Sequence, residues 1–368
     1  RTAEEVKRRV SFDRLGRTLV DGKPFFPLGM YWSVSKPFHK FQLPKMNAET
    51  LAEYAKGPFN CVMTYVPPSR EVMDAADRLG LKVIYPLQDC FGNDETWDPN
   101  GRSAQSARAR IAEFRGHPAL LAWYLSDERP LSMLENLIGR RGLVKACDPD
   151  HPTWSVLYQV KQVRDYMPTS DLLGTDPYPI PDQPIGMAWE WADMTRRGTF
   201  GIRPFWQVPQ AFDAGTFVQG DTSRYRMPTR DEMANMAWQS VAGGANGLVF
   251  YSYTYMMQCT KTPFEKAWAD ARSAASEIRD LQDVILADGR PPKFSADSDK
   301  VAVRGWSRDG VRYLLVVNRT RETVSATVTA DGDCGRAKAL LGAAPTRTAG
   351  QTFSFALAPI SQSVIELR

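Results

Sequence analysis

With 368 residues, 43% of them hydrophobic and 24% charged, the chain has globular composition and enough length for one large domain and a small one. Lys and Arg outnumber Asp and Glu by only 46 to 42 and the excess is scattered, which argues against a nucleic-acid partner. Five dispersed cysteines without metal-ligand spacing and only three histidines speak against a disulfide framework, a zinc site or a Ser-His-Asp triad, and no apolar run approaches the ~20 residues that span a bilayer.

In chain order, residues 1–20 form an N-terminal extension with a strand-like piece that is expected to pack on the C-terminal domain. From there to about residue 290, short apolar runs alternate with amphipathic stretches, the pattern of parallel strands crossed over by helices. Strands are predicted at 25–32, 60–66, 82–88, 120–125, 153–158, 172–175, 204–208 and 247–251. Thr229-Arg-Asp-Glu232 and Thr262-Pro-Phe-Glu265 both read as capping boxes, and Gly80 closes the second helix. Eight such strands fit a barrel whose usual length is ~250 residues. A doubly wound sheet is the competitor, but no strand is followed by a GxGxxG or Walker-type loop. Beyond Gly289-Arg-Pro-Pro292 the apolar residues alternate with period two. The fold class is therefore α/β: a (β/α)8 TIM barrel over 21–290, followed by a small antiparallel all-β domain over 295–368, of sandwich type.

A barrel of this kind works at the C-terminal ends of its strands. Those ends carry Trp32, Tyr65, Asp89, Asp127, Glu128, Tyr158, Asp176, Tyr178, Gln207, Gln210 and Tyr253, an aromatic, amide and carboxylate rim suited to carbohydrate. His39 lies in the loop after the first strand, on the same face. The sharpest feature is the apolar fourth strand, Leu120-Leu-Ala-Trp-Tyr-Leu, which ends abruptly in Ser-Asp127-Glu128. A helix N-cap followed by first-turn acids competes with a catalytic reading there, but a cap needs only one acid. Weaker candidates are Glu190, on a helix face, and Asp213, just after the seventh strand; Asn318-Arg-Thr320 fits a glycosylation sequon.

Three segments, Asp21-Gly-Lys-Pro-Phe-Phe-Pro-Leu-Gly-Met, His117-Pro-Ala-Leu-Leu-Ala-Trp-Tyr-Leu-Ser-Asp-Glu and Asp176-Pro-Tyr-Pro, resemble those of clan A glycoside hydrolases. The resemblance implies a metal-free, cofactor-free glycosidase acting on a poly- or oligosaccharide, with Glu128 as general acid and Asp127 where that clan has Asn. It also implies a nucleophilic Glu at the end of the seventh strand, where this sequence has Gln210 or, one alternative, Gln207. An amide cannot act as that nucleophile. Four explanations follow: inversion, with Asp176 or Asp89 activating water across a gap of about 6.5–9.5 Å; substrate assistance by an N-acetyl group that Asp127 orients, as in N-acetylhexosaminidases; an engineered Glu→Gln change at Gln210; or a barrel that binds sugar without turnover. A chain that opens at Arg1-Thr2 is compatible with a processed, secreted or periplasmic protein.

Overall fold

The computed structural model describes residues 8–32, 46–92, 96–332 and 334–368; His39 lies outside them. They fall into two compact units. The first comprises the described residues up to Asp176 with Met194–Val208 and Asn246–Gln258; the second comprises Pro177–Asp193, Pro209–Ala245 and Cys259–Arg368.

In the first unit, seven strands form one parallel sheet: β1 (Leu28–Trp32), β2 (Cys61–Thr64), β3 (Lys82–Pro86), β4 (Leu120–Asp127), β5 (Thr153–Leu157), β6 (Leu172–Thr175) and β8 (Leu248–Phe250), with β8 paired to β1. The eighth element, β7 (204–208), is reduced to two parallel bridges, Leu173 to Phe205 and Gln207 to Leu248. Pro204 opens it without a backbone N–H to donate, which shortens its ladder. The Trp206 N–H still donates to the Leu173 carbonyl (3.2 Å) and the Val249 N–H to the Gln207 carbonyl (2.9 Å), so the ring closes. Nearly every residue of these strands is buried, as expected when helices cover one face and the barrel interior the other.

The N-terminal segment forms a three-stranded antiparallel sheet, Val10–Phe12, Thr18–Val20 and Lys23–Phe25. Its anchors are in the barrel unit: the Val10 N–H donates to the Asp150 carbonyl (3.1 Å) and Arg9 Nη1 to the Gly116 carbonyl (2.8 Å). Gly80, at φ +70, ends the helix Arg70–Arg78 as expected, since a left-handed residue there costs a glycine little.

In the second unit, two four-stranded antiparallel sheets face each other across a core that includes Leu314, Val316, Phe353, Phe355 and Ile365. One sheet holds Phe294–Ala296, Val324–Ala330, Thr352–Leu357 and Arg347–Ala349, and the other Val301–Arg308, Val311–Asn318, Gln362–Leu367 and Ala337–Leu341. The helix Arg230–Gly243 packs on this domain, with Asn235 Nδ2 donating to the Asn318 carbonyl (3.1 Å) and Arg304 Nη1 to the Val241 carbonyl (2.9 Å). That contact draws the helix out of the barrel unit. Its capping box at Thr229 and Glu232 forms as predicted. Burial alone would raise the Glu232 pKa, but Arg226, the Thr229 N–H and Arg321 outweigh it and bring the pKa down to about 2. The second predicted box does not form: the helix Phe264–Asp280 starts from Pro263 without a side-chain cap. Asn318 is fully buried and its Nδ2 donates to the Glu322 and Ala358 carbonyls (2.7 and 2.8 Å), which closes the sequon to a glycan.

Candidate active site

The C-terminal ends of β2, β4, β6 and β8 bring one group of side chains together inside the first unit. Tyr124 and Asp127 are three apart on β4 and would ordinarily face opposite sides of the sheet. A register shift against β5 between Tyr124 and Ser126 changes that parity, and both turn into the barrel. Tyr124 then donates its phenol to Asp127 Oδ1 (2.6 Å), while Tyr65, just past β2, donates to Oδ2 (2.6 Å). Tyr31 packs edge-on against Tyr65, Tyr124 and Tyr251, with centroids 5.5, 6.1 and 5.1 Å away, and its hydroxyl meets that of Tyr124 at 3.3 Å. Trp154 closes the floor against Tyr124 (5.3 Å) and Trp206 (5.6 Å). Burial raises the Asp127 pKa, and the two phenol hydrogen bonds with the Arg129 charge pull against it.

Glu128 follows β4 with its N–H bonded to the Val156 carbonyl (2.9 Å) and its backbone at φ +51. A left-handed conformation costs a residue with a Cβ on the order of 1–2 kcal/mol and is concentrated at functional sites. The turn leaves Glu128 solvent-exposed as a residue, with its carboxyl beside that of Asp176, the residue directly after β6. Asp176 is only 6% exposed, and its Oδ1 is buried without a hydrogen bond from any described residue. Burial, then the charge and hydrogen bond of Glu128, then Asp127, push the Asp176 carboxyl well above the usual carboxylate range. Glu128 is raised as well, first by desolvation, against the hydrogen bond from Asp176, and then by Asp127. Two carboxyls this close cannot both ionise readily, so they titrate as a pair that holds one proton.

The other sequence candidates are placed differently. Trp32 is 2% exposed, packed against Tyr253 (4.7 Å) and Tyr54 (6.1 Å). Tyr253 is likewise buried, against Tyr54 (5.6 Å), and neither lies among the rings around Asp127. Asp89 sits in a four-residue helix and is ion-paired to Arg110 at 2.5 Å. Gln207 is fully buried, accepting from the Thr175 hydroxyl (3.1 Å), which also meets Thr195 on the helix Met187–Gly198. It therefore faces the helix layer and not the mouth. Tyr158 is 54% exposed at the end of β5. In the second unit, Tyr178 packs edge-on to Phe212 (4.9 Å), which meets the exposed Phe217 (5.4 Å). Asp213 caps a short turn through the Gly215 N–H (2.8 Å), and Glu190 is an exposed helix residue.

Gln210 is held by backbone groups. It is fully buried, accepts from the Ile180 N–H (2.8 Å), and donates to the Ile180 and Phe212 carbonyls (2.9 and 3.1 Å). The site uses the amide as both donor and acceptor, which a carboxylate cannot imitate. Gln210→Glu is expected to lower unfolding free energy by on the order of 3 kcal/mol, by aiming an unpaired buried carboxylate at two carbonyls, with no gain in activity. Urea unfolding followed by circular dichroism checks it.

Among the described residues no cluster of three or more His, Cys, Asp or Glu could hold a metal ion, and no helix is long and apolar enough to cross a membrane. The sequence matches no protein-family model, and none of the curated proteins compared with it. Solved structures do match. A glycoside hydrolase superposes with a TM-score of 0.66 at 12% identity, over 98% of this chain and 97% of its own. The chain shares the fold of glycoside hydrolases. A family 5 glycoside hydrolase from Bacteroides vulgatus gives a TM-score of 0.65 at 12% identity over 98% and 93% of the two chains. The α-amylase of Geobacillus thermoleovorans, complexed with acarbose, gives 0.56 at 10% identity over 98% of each.

Proposed function

We propose that the protein is a glycoside hydrolase acting on a poly- or oligosaccharide, with Glu128 and Asp176 as a proton-sharing acid–base pair. The observation that carries this reading is the placing of an exposed carboxyl beside a buried one at the C-terminal end of the barrel, each raising the other's cost of ionising. The pair holds one proton at rest. Delivered through Glu128 to the glycosidic oxygen, that proton leaves Asp176 as a carboxylate while positive charge develops on the sugar.

Elimination points the water step to Asp176. Asp127 has both oxygens occupied by phenols, Asp89 is bound to Arg110, and Gln210 is an amide locked to backbone. The same saturation of Asp127 argues against its orienting an N-acetyl group. In the free protein the pair is closer than the about 6.5–9.5 Å that an inverting enzyme leaves for water. Inversion therefore requires the substrate to part the two carboxyls, with the exposed Glu128 moving away from the buried Asp176.

The backbone-locked Gln210 favours a second reading, a barrel that binds sugar without turnover. Binding and new reducing ends measured on one glycan panel separate the two. Hydrolysis with the opposite anomer appearing first by NMR is the expected result, and binding with no new reducing end on any glycan leaves only the second reading.

A further inference from the structure

The opposite end of the barrel holds a second, electrostatically unbalanced site. Pro152 immediately precedes β5, Asp171 precedes β6, and Arg203 and Pro204 stand at the start of β7, so their cavity opens at the N-terminal ends of the strands. Its volume is about 510 Å³, within the ~300–1,000 Å³ range of small-molecule sites. Arg8, Arg141, Lys145 and Arg203 line it, and among the described residues Asp13 and Asp171 are its only carboxylates. Both acids are already engaged: Asp13 by Arg17 at 2.6 Å, and Asp171 by Arg141 at 2.7 Å, Lys145 at 3.4 Å and the Thr153 N–H at 3.0 Å.

Arg203 has no ion pair among the described residues. Its Nη1 is fixed by the carbonyls of Met167 and Ser170, which aims the guanidinium without neutralising it. Burial, and then the charge of Arg141, lower its pKa, against the weaker pull of Asp171. Two guanidiniums close enough to repel each other, with Lys145 beside them and Arg8 at the rim, leave an excess near two positive charges. A planar guanidinium fork held in place matches an oxyanion edge better than it matches water. Phe12 and Ile202, the latter 76% exposed, give the cavity an apolar wall for the organic part of a ligand.

We infer that this cavity is a binding site for a small molecule carrying a dianionic oxyanion of the phosphate-monoester class, held between Arg203 and Arg141 at the end of the barrel remote from Glu128. A membrane or a nucleic acid fits it poorly, because the cations line a concavity instead of a surface track.

The test is calorimetric titration of the full chain with inorganic phosphate, against chloride at matched ionic strength, since screening would mimic a weak loss. The parent is expected to bind phosphate saturably and chloride not at all. Arg203→Met is expected to weaken phosphate about tenfold or more and Arg8→Gln, at the exposed rim, about threefold. Arg8→Gln keeps the comparison intact where loss of the Arg203 carbonyl contacts harms folding. Phosphate heats indistinguishable from chloride in the parent, or unchanged affinity in both variants, overturn the site. None of these readouts depends on glycosidase activity.

Discussion

Glu128→Gln is expected to lower turnover on the glycan that the parent cleaves by about 10²–10⁴-fold, the usual worth of a positioned general acid. The amide is nearly isosteric, can still accept from Asp176, and suits the left-handed backbone no worse than Glu, so melting temperature and glycan affinity should stay close to the parent's. Proton transfer is felt only in the transition state, so the loss belongs in kcat and not in KM. A leaving group that needs no protonation supplies the internal control: on an aryl glycoside with an acidic phenol the deficit should shrink sharply. A variant within tenfold of the parent on the unactivated glycan would remove Glu128 from the chemistry. An equal deficit on both substrates would point to a fault in positioning instead of a missing proton.

The barrel was legible because its strands alternate with well-patterned helices, and the Ser126-Asp127-Glu128 ending was legible because carboxylates rarely interrupt so apolar a strand. The aromatic lining was harder to assign. Tyr31 and Trp32 are adjacent, so one faces the interior and the other the helices, and a strand buried on both faces offers no polar alternation to say which. The structure chooses Tyr31, with Tyr251 beside it, and sends Trp32 and Tyr253 outward against Tyr54. Parity fails again at β4, where the register shift puts Tyr124 and Asp127 on one side, a feature with no local signal in Trp123-Tyr-Leu-Ser126. Gln210 misled for another reason. Its position relative to the seventh strand suggested a catalytic slot, but its partners, Ile180 and Phe212, lie in loops whose paths only the folded chain defines. The pairing of Glu128 with Asp176 joins residues 48 apart in the sequence and depends on the turn at φ +51.

Asp176→Asn should raise the melting temperature at pH 7 while lowering turnover by at least about 10²-fold, the loss expected when a carboxyl acid–base group is removed. The two effects share one cause. The folded-state pKa of Asp176 lies above its unfolded value of ~3.9, because the carboxyl is buried and faces Glu128 and Asp127. Its contribution to stability is therefore complete below ~3.9 and is lost as pH rises through the folded-state value. Near neutrality the parent carries that loss and Asn does not, although the amide can still donate to Glu128. The gap in melting temperature should be a few degrees at pH 7, at about 1–2 °C per kcal/mol for a chain of this size, and should close near pH 4. A site that raises its own energy to hold a proton in readiness would behave this way, since stabilising it removes the function. Thermal melts of parent and variant at pH 4 and pH 7 decide it. A variant that melts below the parent by the same margin at both pH values would make Asp176 a structural acceptor, and the proton-sharing pair would have no energetic basis.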